Sequence, residues 1–150
     1  MTKLTVRNIQ ASDLPLLLPM VQSLAEHHGD IPQVSLRDLE RDCLGASPWL
    51  RTLVAEKDTQ LLGYSALCPL AQMQFGVRGM DMHHLFVCST ARGGGVGRAL
   101  IDASVELTKS LGCRYMTVGT HPDNKEAAMM YQAAGFETLP PPGPRFRIRL

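Results

Sequence analysis

The chain switches between two hydrophobic periods, and the switches mark its elements. Leu4-Thr5-Val6-Arg7 alternates like a strand. Leu14, Leu17, Leu18, Val21, Leu24 and Ala25 then recur at helical spacing. Ser12 and Asp13 can cap that helix, Pro15 is tolerated in its first turn, and Gly29 is its stop. Leu36, Leu39 and Leu44 mark a second helix, opened by a capping box at Ser35 and Asp38. Strand patterns follow over 51–55, 61–67 and 80–87, and the turn Lys57-Asp58-Thr59-Gln60 predicts that the first two form an antiparallel hairpin. Val96, Ala99, Leu100, Ala103, Leu107 and Leu111 line one face of a third helix that ends at Gly112. Residues 114–118 read as a strand, and Asp123 with Glu126 as the cap signature of a fourth helix reaching Ala134. Phe136-Glu137-Thr138 and the alternating 145–150 segment read as two last strands, separated by a stiff turn over 140–144. The order β-α-α-β-β-β-α-β-α-β-β predicts an α/β (α+β) fold. Its sheet is expected to be mixed, mostly antiparallel and twisted, of about seven strands with about four helices on its faces.

Composition narrows the class. The 150 residues suit one domain over 1–150; 45% are hydrophobic and the formal charge is +1. No basic excess points to nucleic acid, and no apolar run approaches the ~20 residues that span a membrane. The four cysteines (Cys43, Cys68, Cys88, Cys113) are spread out without a CxxC pair. That predicts reduced thiols in the cytoplasm and neither disulfides nor a zinc site. Met1 leads straight into a strand pattern, so no signal peptide is expected. His27-His28-x-Asp30 is not read as a metal site: helix neighbours point ~100° apart, and no third ligand is tied to them by sequence.

Candidate chemistry gathers where the 80–87 strand empties into Arg92-Gly93-Gly94-Gly95-Val96-Gly97-Arg98 and a helix begins at once. The opening N–H groups of a helix lack intrahelical partners and carry the positive end of its dipole, and glycines let an anion approach the backbone. The pattern is not a P-loop, because Gly97 is followed by Arg98 and Ala99 rather than Lys and Ser or Thr. Nor is it a dinucleotide fingerprint, which would need glycine in place of Arg98 and an acidic residue near Thr117-Val118. A phosphate-bearing ligand of another kind is expected.

Leu85-x-Val87-x-x-x-x-Arg92-Gly93-x-Gly95-x-Gly97 resembles the acetyl-CoA motif of the GNAT N-acetyltransferases. Asn124-x-x-Ala127-x-x-x-Tyr131-x-x-x-Gly135-Phe136 matches that family's second motif, so the resemblance is specific over residues 80–136. Ser89, where proline is frequent, and Gly94, where a bulkier residue is common, depart from it. The resemblance implies a GNAT fold with acetyl-CoA as cosubstrate. Its pyrophosphate would be held by Arg92, Gly93, Gly94, Gly95, Val96, Gly97 and Arg98, with Asn124 and Tyr131 completing the cofactor site. The motif strand would splay from its neighbour so that Phe86 and Val87 face the cofactor, the Val87 N–H polarising the thioester carbonyl. Tyr131 takes the family's general-acid position, where a phenol of pKa ~10 can protonate the departing thiolate.

Acceptor chemistry is less sharply marked. A base must take a proton from the amine before it attacks. His83 stands where several family members carry glutamate and, with an ordinary pKa of ~6.5, is the candidate base; His84 and water are the alternatives. Adjacent residues of a strand point to opposite faces, so His83 is expected opposite His84 and on the face of Val87. Glu26, His27 and Asp30, together with His84, are candidate acceptor-binding residues, since the family builds its amine pocket partly from the first two helices. Leu24-Ala25-Glu26, Leu36-Arg37-Asp38-Leu39, Gly45-x-x-Pro48 and Val54-Ala55-Glu56 are similar to the diamine (spermidine/spermine) acetyltransferase branch, although 67–76 is not acidic. The resemblance thus implies acetyl transfer to a primary amine of a small molecule (a polyamine, amino acid or related amine) by direct attack in a ternary complex. A protein N-terminal or lysine acetyltransferase and a catalytically silent acyl-CoA-binding regulatory module are the competing readings. A covalent route would have Cys88 as its nearest candidate, which has no motif-assigned base beside it. The alternating 145–150 strand is the candidate edge for a homodimer.

Overall fold

The computed structural model describes residues 3–150. The expectation drawn at Met1, that no signal peptide precedes the first strand, concerns a position outside them. Among the described residues five strands form one sheet: β1 (Thr5–Asn8), β2 (Arg51–Lys57), β3 (Gln60–Gln72), β4 (Val77–Val87) and β5 (Tyr115–Val118). They lie in chain order. The first four pair antiparallel and β5 joins β4 in parallel, so the sheet is mixed. The helices are α1 (Leu14–His27), α2 (Leu36–Cys43), α3 (Val96–Ser110) and α4 (Lys125–Ala133). The chain divides into two compact units, one reaching Gly119 with the whole sheet and the first three helices, the other from Thr120 with α4.

Local chemistry sets most boundaries. The Asp38 N–H donates to the Ser35 hydroxyl at 3.2 Å and the Ser35 N–H to the Asp38 carboxylate at 2.9 Å, the reciprocal box that starts α2. Asp58 and Thr59, at φ 54° and 63°, form a two-residue turn between β2 and β3 with the left-handed geometry that suits strand twist. β3 and β4 are longer than their hydrophobic patterns suggest. Pro69 has no N–H to give the ladder, yet it keeps register opposite Met80, and the pair closes at a 3-10 turn, Met73–Phe75, with Gly76 at φ 63°.

In the first unit the sheet is covered on both faces. Leu17, Leu24 and Leu39 of α1 and α2 pack with Val54 and Tyr64 on one face. Val96 and Leu100 of α3 pack with Leu53 and Ala55 on the other. A polar tie joins the edge: Arg7 of β1 donates to both Asp13 carboxylate oxygens at 2.7 and 2.9 Å and also pairs with Glu56 of β2.

Two expectations fail at the C-terminal end. Residues 134–150 carry no strand, so the sheet has five strands and not about seven. Pro140, Pro141, Pro142 and Pro144 have no N–H to give a ladder, and their fixed φ resists a tight hairpin between the two segments. Phe146, Ile148 and Leu150 keep their alternation but are exposed, and the edge expected to serve a homodimer is not formed. The fourth helix is capped by Asn124 rather than Asp123: its Oδ1 accepts the Ala127 N–H at 3.1 Å, one residue later than the pattern suggests.

Candidate active site

The open edge of β4 organises the site. β4 and β5 stay paired only from Gly79 opposite Tyr115 to Met82 opposite Val118, while β4 continues to Val87. Gly79 allows this pairing because the Tyr115 ring lies against it; a Cβ there would meet the ring at 2.5 Å. On its other flank β4 is gripped by β3. Gly63 faces Val87, and a Cβ on Gly63 would stand 2.3 Å from the Phe86 carbonyl oxygen. The Cys88 N–H donates to the Leu62 carbonyl at 2.8 Å. Because successive strand N–H groups alternate sides, the Val87 N–H turns to the open edge.

That edge leads into an anion cradle. After a 3-10 turn, Ser89–Ala91, Gly93 and Gly95 take φ 80° and 84°, and neither has an atom within 4 Å of the place a Cβ would occupy. α3 begins at Val96 with no side chain capping it, and its first backbone bond runs from the Ala99 N–H to the Gly95 carbonyl at 3.0 Å. The N–H groups of Val96 and Gly97 therefore have no partner inside α3. Gly94 is ordinary: a Cβ there would touch only the Ala91 carbonyl, at 3.4 Å. Arg92 Nε reaches the Val87 carbonyl at 3.4 Å, and Arg98 Nε pairs with Asp102 at 2.9 Å on the exposed helix face. Uncapped amides beside two left-handed glycines fit the pyrophosphate expected there.

A β-bulge rearranges the histidines. Ala66 pairs with His84 and Leu67 with Met82, which leaves His83 as the extra residue. His83 and His84 therefore do not point to opposite faces as strand alternation predicts; their rings stack at 4.2 Å, tilted by 13°. The bulge also separates His83 from Val87. Phe86 and Cys88 pack with the α1–α2 cluster, Leu85 and Val87 with the α3 cluster, so His84 and its stacked neighbour lie on the α1–α2 side. The side chains of Phe86 and Val87 consequently lie on opposite faces of the sheet.

His84 is held from below. Its Nδ1 is 2.9 Å from the hydroxyl of Tyr64, a residue only 1% exposed. Burial pushes the His84 imidazole down to about 4, helped by the neighbouring charges of His83 and His28, so it is neutral near pH 7. Burial also raises the Tyr64 phenol well above its ordinary range. His28 follows the last residue of α1, where Gly29 at φ 80° ends the helix and the Asp30 N–H returns to the Ala25 carbonyl at 2.9 Å. Glu26, His27 and Asp30 are exposed on this end, with the His27 ring 5.9 Å from that of His28. Tyr64 and His28 carry no motif signal; each matters through register and packing. Cys88 sits among sulfur and backbone, 3.8 Å from Met20 Sδ, and burial raises its thiol, which disfavours the nucleophilic thiolate.

In the second unit, Tyr131 lies on α4 with its ring edge-on to Phe136 at 5.9 Å, and the Phe136 N–H returns to the Tyr131 carbonyl at 3.0 Å. Gly135, at φ 101°, makes that reversal possible. Burial raises the Tyr131 phenol above its ordinary value, which favours the protonated form. Asn124 spends its Oδ1 on the α4 cap. Among the described residues no three His, Cys, Asp or Glu side chains are arranged to hold a metal ion.

The chain is similar to known proteins. The family model described as acetyltransferase (GNAT) family matches residues 18–136. The mycothiol acetyltransferase of Streptomyces avermitilis is 30% identical over 115 residues, 75% of this chain; the chain spans 35% of that relative's length. The uncharacterized N-acetyltransferase YhfO of Bacillus subtilis is 24% identical over 143 residues, which cover 89% of this chain and 90% of the relative. A solved probable acetyltransferase superimposes with a TM-score of 0.86 at 22% identity, covering 97% of this chain and 98% of the other, which shows a common fold.

Proposed function

The chain belongs to the GNAT family of acetyltransferases, and from that premise we propose that it transfers an acetyl group from acetyl-CoA to a primary amine of a small molecule. Both substrates would be bound together, in the cytoplasm, by one domain over residues 1–150. The observation that carries this reading is the edge of β4 beyond Met82, unpaired by β5 and leading directly to the uncapped start of α3.

Acetyl-CoA, when bound, supplies the acetyl group as a thioester. The amides of residues 92–98 would hold its pyrophosphate, with charge added by Arg92 and Arg98. The Val87 N–H, turned to the open edge, would donate to the thioester oxygen. That bond strengthens as negative charge grows on the oxygen, which is how it lowers the barrier. The motif match, rather than any distance, assigns Asn124 to the cofactor and Tyr131 to protonating the departing sulfur; the raised phenol of Tyr131 suits an acid that must stay protonated. His83, exposed beside His84, would take the proton of the amine directly or through water. Glu26, His27 and Asp30 would draw a cationic acceptor to the end of α1, with His84 among its contacts.

Neither relative named above carries a diamine acceptor in its name, and polyamines are one acceptor class among several. The test is release of free thiol from acetyl-CoA against polyamines, amino acids and peptides. Amine-dependent release that follows acceptor concentration supports the reading, and a preference for peptides moves it to a protein acetyltransferase. Acetyl-CoA binding without release by any acceptor leaves a silent acyl-CoA-binding module in its place.

A further inference from the structure

Tyr64 and His84 form a pair that neither sequence motif contains. A phenol 1% exposed must place its proton on a partner, and His84 Nδ1 lies within reach at 2.9 Å. A proton on Nδ1 would instead leave the buried hydroxyl hydrogen unpaired. The groups facing the pair are His83 on β4, His28 at the end of α1 and Cys43 of α2, the last acting on Tyr64. None is a carboxylate, so none favours an imidazolium at His84. His83 stacks directly on this ring at 4.2 Å, and a proton on one ring opposes a proton on the other.

We propose that Tyr64 is a positioning residue: by donating to Nδ1 it fixes His84 as the neutral Nε2–H tautomer, a hydrogen-bond donor in the acceptor site, and leaves His83 alone to take the amine proton. The tautomer stands on geometry; its kinetic consequence rests on the acetyl-transfer reading above. The histidine pair then holds a single proton, and Tyr64 decides which ring carries it.

Two measurements test this. Nitrogen-15 NMR of the wild-type imidazoles should show His84 with Nδ1 unprotonated and hydrogen-bonded, Nε2 protonated, and no titration down to about pH 5. A His84 that titrates near its ordinary ~6.5, or that carries its proton on Nδ1, overturns the proposal whether or not the protein turns over. In Tyr64→Phe, which keeps the ring and removes the donor, the acid limb of kcat/KM for the amine should move to higher pH, because the pair's one proton can then sit on either ring. At pH 7 kcat/KM should fall about tenfold, with the KM for acetyl-CoA unchanged. His84→Gln, alone or with Tyr64→Phe, has no second ring to titrate, so both variants should keep the acid limb at its wild-type pH. An unchanged limb in Tyr64→Phe overturns the assignment. If Tyr64→Phe does not fold, the wild-type spectrum decides alone. If no amine releases CoA, the acetyl-transfer reading fails while the tautomer remains testable.

Discussion

Tyr131 carries the sharpest single-residue expectation. Burial raises its phenol, so the acid form is the form present over the working range. The sign follows: rising pH removes activity only by ionising this group, so its alkaline limb in kcat should lie above the ordinary phenol pKa of ~10. Tyr131→Phe should lower kcat about 100-fold and leave the affinity for acetyl-CoA within about twofold, measured by single-turnover kinetics and calorimetry. A kcat within about threefold of wild type would take the acid role away from Tyr131. The motif behind this expectation is legible in sequence because the Asn124…Tyr131…Gly135-Phe136 spacing is local to one helix and its turn. The histidines are a different case. Strand alternation is a sound argument for a regular strand, and it places His83 and His84 on opposite faces. What defeats it is the pairing of Ala66 with His84 and of Leu67 with Met82, a property of two strands that β4 alone does not encode. Tyr64 was hidden for the same reason, since its partner lies 20 positions away in sequence.

At the scale of elements, the glycine loop and the β3–β4 contact make opposite kinds of demand. Gly93 and Gly95 need left-handed φ but have open space where a Cβ would stand, so alanine there costs conformational strain without a clash. Gly93→Ala and Gly95→Ala should each raise the KM for acetyl-CoA about tenfold, with the amine KM nearly unchanged and the melting temperature slightly lowered. An equal rise in both KM values would mean that the loop holds the whole site and not the donor. Gly63 has no such φ, yet a Cβ would meet the Phe86 carbonyl oxygen at 2.3 Å. Gly63→Ala should therefore push β3 from β4 and destabilise the fold by about 1–3 kcal/mol in urea unfolding. The loop announces itself through consecutive glycines. Gly63 looks like any strand glycine until the register opposite Val87 is known. The same asymmetry separates the Ser35–Asp38 box, complete within four residues, from the expected strands after Ala134, which needed partners that 140–144 cannot bring to them.

For the molecule as a whole, the electrostatic tie at the sheet edge links stability to pH. Arg7 joins β1 to the turn that starts α1 and to β2, and the Asp13 side chain beneath it is only 6% exposed. The hydrogen bonds from Arg7, then that of the Gln10 N–H, hold the Asp13 carboxyl below its usual range. A carboxyl depressed in the folded state adds stability that is complete above its unfolded pKa of ~3.9 and disappears as pH falls through the folded value. Arg7 is charged in both states throughout that range and adds no slope of its own. Asp13→Asn should therefore cost about 1–3 kcal/mol, constant between about pH 5 and 8, and the gap from wild type should narrow as pH falls below ~3.9. Glu56→Gln should cost less, because the Glu56 side chain is 32% exposed and water already screens its pair with Arg7. Urea unfolding at stepped pH measures both. A gap that does not narrow as pH falls below the unfolded value of ~3.9 would mean that Asp13 acts through packing, because a carboxyl depressed in the folded state must lose its contribution there.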